Sequence, residues 1–120
     1  MPDVLREIEE AREPAAAARM ARSVLALTAD EIGTATGADE RTVRRWWNDG
    51  SSPTRYRRRL DDLRAIAEIL STTMRDEAIG SWLRSRSRYL DYERPLELLG
   101  QGRFDEVREA ATAYVEGAPL

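Results

Sequence analysis

Residues 28–50, TADEIGTATGADERTVRRWWNDG, carry the densest set of helix start and stop signals in the chain. Thr28 and Glu31 have the spacing of a capping box, in which a hydroxyl and a carboxylate satisfy backbone N–H groups that a helix start leaves without partners. Gly37 supplies the backbone freedom for a sharp turn, Asp39 is suited to cap the next helix, and that helix ends near Gly50. The punctuation therefore predicts two short helices that meet through a tight turn. Ile32 and Ala35 are the inward residues of the first, and Val43, Trp46 and Trp47 those of the second.

The remaining segments read as helices too. Pro14 suits a first helical position, and Met20, Ala21, Val24 and Leu25 recur at helical spacing, which predicts a helix over 14–27. After the Ser51, Ser52, Pro53 break, Tyr56, Leu60, Leu63, Ile66, Ala67 and Leu70 form the stripe of an amphipathic helix over 54–70. Thr72 and Thr73 interrupt it. A helix over 74–85 then has Ala78, Ile79, Trp82 and Leu83 inward. A short helical turn follows at 95–99, closed by Gly100 and Gly102, and a last helix over 103–115 carries Phe104, Val107, Ala111 and Tyr114. With no alternating apolar pattern and no internal repeat, the expected class is all-α. The organisation reads as a flexible N-terminal arm over 1–13, a unit over 14–71 that holds the two helices joined by the tight turn, and a small helical module over 72–120.

Composition narrows the function. At 120 residues, 42% hydrophobic and 34% charged, the chain is an ordinary folded globular protein. No run approaches the ~18–20 apolar residues of a membrane span. The N-terminus lacks a signal peptide's apolar core, so a cytoplasmic protein is expected. Without cysteine there is no disulfide framework and no thiolate for metal or nucleophilic chemistry, and without histidine the commonest acid/base group and metal ligand is missing. The acid pairs Asp61 and Asp62, Asp76 and Glu77, and Asp105 and Glu106 fall at helix starts or on solvent faces, where the helix dipole accounts for them. Neither enzymatic activity nor a cofactor is expected.

The net charge of −3 hides a segregation: residues 41–60 hold seven Arg against the single acid Asp49, while both flanks are acidic. A solvated arginine-rich helix surface is the simpler meaning of such a block, and an anion-binding face is the other. Helical geometry favours a face. With Val43 at zero and ~100° per residue, Trp47 and Trp46 lie on the inward side, whereas Asn48, Arg41 and Arg45 fall near ~140°, ~160° and ~200°. Two guanidiniums and an amide are the side chains that read guanine and adenine in a major groove. Thr42 and Arg44 flank them, and Arg55 and Arg57 are placed to hold phosphates. The unit either reads DNA in this way or serves only for dimerisation.

The 28–50 segment resembles the helix-turn-helix of the Xre family. Residues 76–117, DEAIGSWLRSRSRYLDYERPLELLGQGRFDEVREAATAYVEG, resemble the toxin-binding domain of Xre/MbcA/ParS-type antitoxins. The match lies in Trp82 and Leu83 ending a helix, a polar loop with Arg88 and Leu90, the RPLELL segment, and a final helix carrying Phe104, Val107 and a late aromatic. It spans about residues 19–120 and is most similar to mycobacterial-type MbcA antitoxins. The loop RSRSRYLDY departs from the Pro-Asn and GG-x-Pro-Leu turns of the broader family.

This resemblance implies a partner: a RES-domain toxin that degrades NAD, silenced when the antitoxin packs against it and obstructs its active site. It also implies operator DNA as a second partner and a homodimer within a larger complex. Arg103, Phe104 and Tyr114, with the tail of Gly117, Ala118, Pro119 and Leu120, are the expected toxin contacts. The tail is uncharged apart from its terminal carboxylate and small enough to enter a cleft, although termini are commonly frayed. A stand-alone helix-turn-helix repressor, whose C-terminal helices only dimerise it, is the alternative.

Overall fold

The computed structural model describes residues 14–50 and 54–117, together with Arg6 and Ile8. The chain runs through α1 (Pro14–Ser23), α2 (Ala29–Thr36), α3 (Glu40–Asp49), α4 (Arg57–Leu70), α5 (Asp76–Arg84), α6 (Pro95–Gly100) and α7 (Phe104–Glu116). Short 3-10 turns at Thr54–Tyr56 and Arg88–Leu90 precede α4 and follow α5. Among the described residues there is no β-strand, as the all-α expectation requires.

Local chemistry sets the boundaries. The Glu31 N–H donates to Thr28 Oγ1 at 3.1 Å and the Thr28 N–H donates to Glu31 Oε1 at 2.9 Å, so both halves of the capping box form. Gly37 takes φ 82°, closing α2, and Asp39 accepts the Thr42 N–H at 2.7 Å to open α3. The first helix is shorter than expected. It ends at Ser23, whose hydroxyl donates back to the Arg19 carbonyl, and the chain turns through Ala26 at φ 56° while the Leu27 N–H reaches the Ala21 carbonyl. Within the expected arm over 1–13, Ile8 is helical and fully buried.

One hydrophobic cluster runs through the whole described chain. It joins Ala21, Leu25, Ile32, Val43, Trp46 and Leu60 of the first half to Ile79, Leu83, Leu98 and Val107 of the second. Residue 71 thus marks a seam in sequence with continuous packing across it. Two glycines make the seam tight. A Cβ on Gly80 would stand 2.0 Å from the Leu25 carbonyl oxygen, and one on Gly100 would stand 2.0 Å from the Thr34 carbonyl oxygen. Helices α5 and α6 therefore press their backbones onto the α1–α2 turn and onto α2. The approach at Gly80 also turns α5, so that Ile79, Gly80 and Leu83 face inward, whereas Ala78, expected inside, is exposed and Trp82 is half-buried.

Replacing a helical glycine by alanine usually gains about 1 kcal/mol. For Gly100→Ala we expect the opposite sign, a loss of at least ~1–3 kcal/mol in urea unfolding, because the new methyl meets a backbone carbonyl that cannot turn aside. Unchanged or increased stability would show that α6 stands off α2.

Candidate DNA-reading and partner-binding surfaces

On α3 the inward and outward faces separate as the helical geometry requires. Val43 and Trp46 are fully buried, while Arg41, Arg44, Arg45 and Asn48 are exposed and Thr42 is half-buried. Trp47 is half-buried and donates its indole N–H to the Ala18 carbonyl at 3.1 Å, so it fastens α3 to α1. Arg44 lies 2.6 Å from Glu40, an exposed pair one helical turn apart that contributes little and opens readily. The Thr42 backbone N–H, then its side chain, hold the exposed Asp39 carboxyl below its usual range, and the charges of Arg45 and Arg41 add to this. The Tyr56 ring sits 5.3 Å from that of Trp46, which brings the exposed Arg55, stacked over Tyr56, to the flank of α3. Arg57 is exposed at the first turn of α4.

The residues expected to meet a protein partner do not form one patch. Trp82 and Tyr114 meet edge to face at 6.4 Å and, with Tyr89, Arg86 and Arg88, line a shallow, largely apolar cleft between α5 and α7. Tyr114 is 47% exposed and forms the outer wall of this cleft. Arg103 lies in a neighbouring polar hollow with Glu106, Glu109 and Asp91, where it pairs with Glu106 at 2.6 Å; Tyr89 borders both hollows. Phe104 is elsewhere. It is half-buried against the core and lines an apolar depression with Ala65 and Ile69 of α4. Gly117 closes α7 in a left-handed conformation, while Ala118, Pro119 and Leu120 lie outside the described residues.

Two features escaped the sequence reading. Trp82, expected inward, is only half-buried, and its ring forms one surface with Tyr114. Arg84 was not singled out at all, and it locks the two halves of the chain together. Its Nε and Nη2 donate to Glu31 Oε2 and Oε1 at 2.8 and 3.1 Å, a side-on pair, and Nη2 also reaches the Ala26 carbonyl at 2.9 Å. Glu31 thus completes the α2 cap and receives Arg84 with the same carboxylate. Burial alone would raise its pKa. The hydrogen bonds from Arg84 and from the Thr28 backbone, together with the Arg84 charge, outweigh burial and hold it below its ordinary value of 4.5.

A depressed carboxylate stabilises the fold above its unfolded-state value, and that contribution is lost as pH falls through the folded one. Glu31→Gln keeps a side chain suited to a capping box but removes the charge. We expect it to destabilise the protein by roughly 1–2 kcal/mol at pH 7. The deficit should shrink as thermal melts are taken below pH 4.5. A deficit of constant size from pH 7 to pH 3 would mean that the carboxylate charge does not hold Arg84.

No family model matches the chain. It is 34% identical over 92 residues to a probable mycobacterial cidal antitoxin of Mycobacterium tuberculosis, an alignment covering 77% of this chain and 79% of the relative. It is 30% identical over 94 residues to the mycobacterial cidal antitoxin MbcA of Mycobacterium bovis, covering 78% and 83%. Among solved structures it superposes on a chain of the M. tuberculosis MbcT–MbcA toxin–antitoxin complex with a TM-score of 0.73 and 28% identity, covering 88% of this chain and 96% of that one. Fold and sequence together define an all-helical antitoxin of a toxin–antitoxin system. The chain belongs to the MbcA family of mycobacterial cidal antitoxins. Among its described residues, no helix is long and apolar enough to cross a membrane.

Proposed function

We propose that the protein neutralises a RES-domain, NAD-degrading toxin by docking on it and obstructing its active site, and that it represses its own operon as a homodimer, both in the cytoplasm. The observation that carries this reading is the likeness, over 88% of the chain, to a chain solved within a toxin–antitoxin complex. The exposed cleft of Trp82, Tyr89 and Tyr114 supports it from the side of this chain. An aromatic cleft bordered by Arg86 and Arg88 has the composition of an interface hot spot, where large rings fill pockets and arginines form the rim. We assign the docking energy to this cleft, with Arg103 contributing from the neighbouring polar hollow. The uncharged tail from Gly117 to Leu120 is the segment that enters the toxin's substrate cleft.

Phe104 is half-buried and faces α4, and we assign it to supporting α7 rather than to the toxin contact. The outward arginines of α3, with Asn48, are the proposed operator readers. A dimer would place two such helices on an inverted repeat.

Co-expression with the product of the adjacent reading frame, expected to be the toxin, tests the neutralisation. The full chain should co-purify with the toxin and abolish NAD consumption. A truncation ending at Glu116 should still co-purify while NAD consumption returns at least in part, whereas Trp82→Ala with Tyr114→Ala should weaken the complex by about thirty-fold or more. A full chain that leaves NAD consumption untouched refutes the reading. A truncated chain that inhibits as completely as the parent at equal occupancy refutes the role of the tail.

A further inference from the structure

Helix α3 is flanked on both sides, and the second flank is also basic. On the Trp46 side lies the Thr54–Tyr56 turn with Arg55 stacked over Tyr56. On the Trp47 side lies α1. There the Trp47 indole N–H bonds to the Ala18 carbonyl, the Arg22 guanidinium sits 4.4 Å from the Trp47 ring centroid, and Arg19 Nη2 lies 2.9 Å from where a Cβ on Gly50 would stand. Arg19 and Arg22 are one helical turn apart and both are exposed. None of the ion pairs among the described residues engages either of them. Sequence gave no reason to connect them with α3, because they stand well before the basic block over 41–60.

We propose that Arg19 and Arg22 form a phosphate clamp for one DNA strand, on the flank of α3 opposite Arg55. The inference rests on the DNA-reading role proposed above and adds to it the residues that seat the helix. A major groove is about as wide as an α-helix with its side chains, ~12 Å, so a helix lying in it has a phosphate backbone along each side. Elements packed beside that helix are the ones that can touch those backbones. Arg55 and Arg57 serve one strand and Arg19 and Arg22 serve the other, so the helix is gripped from both edges. Stacking on Trp47 holds the Arg22 guanidinium in place before DNA arrives, which lowers the ordering cost of the contact and leaves its N–H edge available. Phosphate contacts of this kind set position and affinity without reading sequence.

A purely structural role is the competing explanation: Arg22 pins α1 to Trp47, and Arg19 lies at the C-terminal end of α3. The two roles separate in the salt dependence of binding. Kd is measured by fluorescence anisotropy across a salt series. The ligands are a duplex from the promoter upstream of the protein's own reading frame and a random duplex of equal length. The proteins are the full-length parent, Arg19→Ala/Arg22→Ala, Arg19→Lys/Arg22→Lys and Arg45→Ala. The double alanine variant should lower the slope of log K against log salt by about one for each arginine, equally on both duplexes. The double lysine variant keeps the charges and should keep the slope near the parent's even if its melting temperature falls. Arg45→Ala should weaken the promoter duplex more than the random one.

A double alanine variant with the parent's slope overturns the clamp and leaves base reading by α3 in place. So does a double lysine variant that loses as much slope as the alanine one while remaining helical by circular dichroism. A parent protein that binds neither duplex at low salt overturns the DNA-reading role and the clamp with it.

Discussion

The contact on which the rest of the structure depends is the one between the backbones of α5 and α6 and the carbonyls of Leu25 and Thr34. At Gly80 and Gly100 two helices come close enough that a single methyl group would be refused. That proximity buries the inner faces of α2, α5 and α6 together, and it brings Arg84 within reach of both Glu31 and Ala26. The ion pair follows from the packing and then reinforces it, because Glu31 also caps α2. Half-exposed pairs contribute little alone, so the apolar contact carries the seam and Arg84 fixes its register.

This arrangement determines which surfaces remain for partners. Helix α2 is packed inside, with α3 against one part of it and α6 against another, so its own side chains have little left to offer. The outward face of α3 stays open with its arginines and Asn48. The α5 and α7 edges present Trp82 and Tyr114. A ligand at either surface acts on helices that share one core. The acidic residues do not converge in the same way. Burial pushes the Asp62 carboxyl above its ordinary value, aided by Asp61 and Asp105 and opposed by Arg58 and Arg59, which places it among structural charges between α4 and α7.

Much of the first half was legible in the sequence, because caps and turns act over a few residues. Thr28, Glu31, Gly37, Asp39 and Gly50 each perform the local role their type and spacing implied. The two faces of α3 followed from helical geometry alone. Contacts between distant segments were not legible in this way. Nothing local distinguishes Arg84 from the other arginines of the second half, and its meaning appears only when α5 lies over the α2 cap. Gly80, in the middle of a helical pattern, was the available signal for a close approach, since an interior glycine weakens a helix unless something needs the space. The end of α1 was missed because it depends on Ala26 adopting a left-handed conformation where glycine is usual. The family resemblance put Phe104 with Tyr114 among the expected toxin contacts, and the two residues line different hollows, one facing α4 and one beside α5.

The core shared by the capped helical pair and the C-terminal module predicts one cooperative unit with no independent domain boundary near residue 71. Differential scanning calorimetry of the full chain at neutral pH tests it most directly. One transition with a calorimetric to van't Hoff enthalpy ratio of about one is predicted. Two resolved transitions, or a ratio well above one, would contradict it and show that the seam at Gly80, Gly100 and Arg84 opens before either half unfolds.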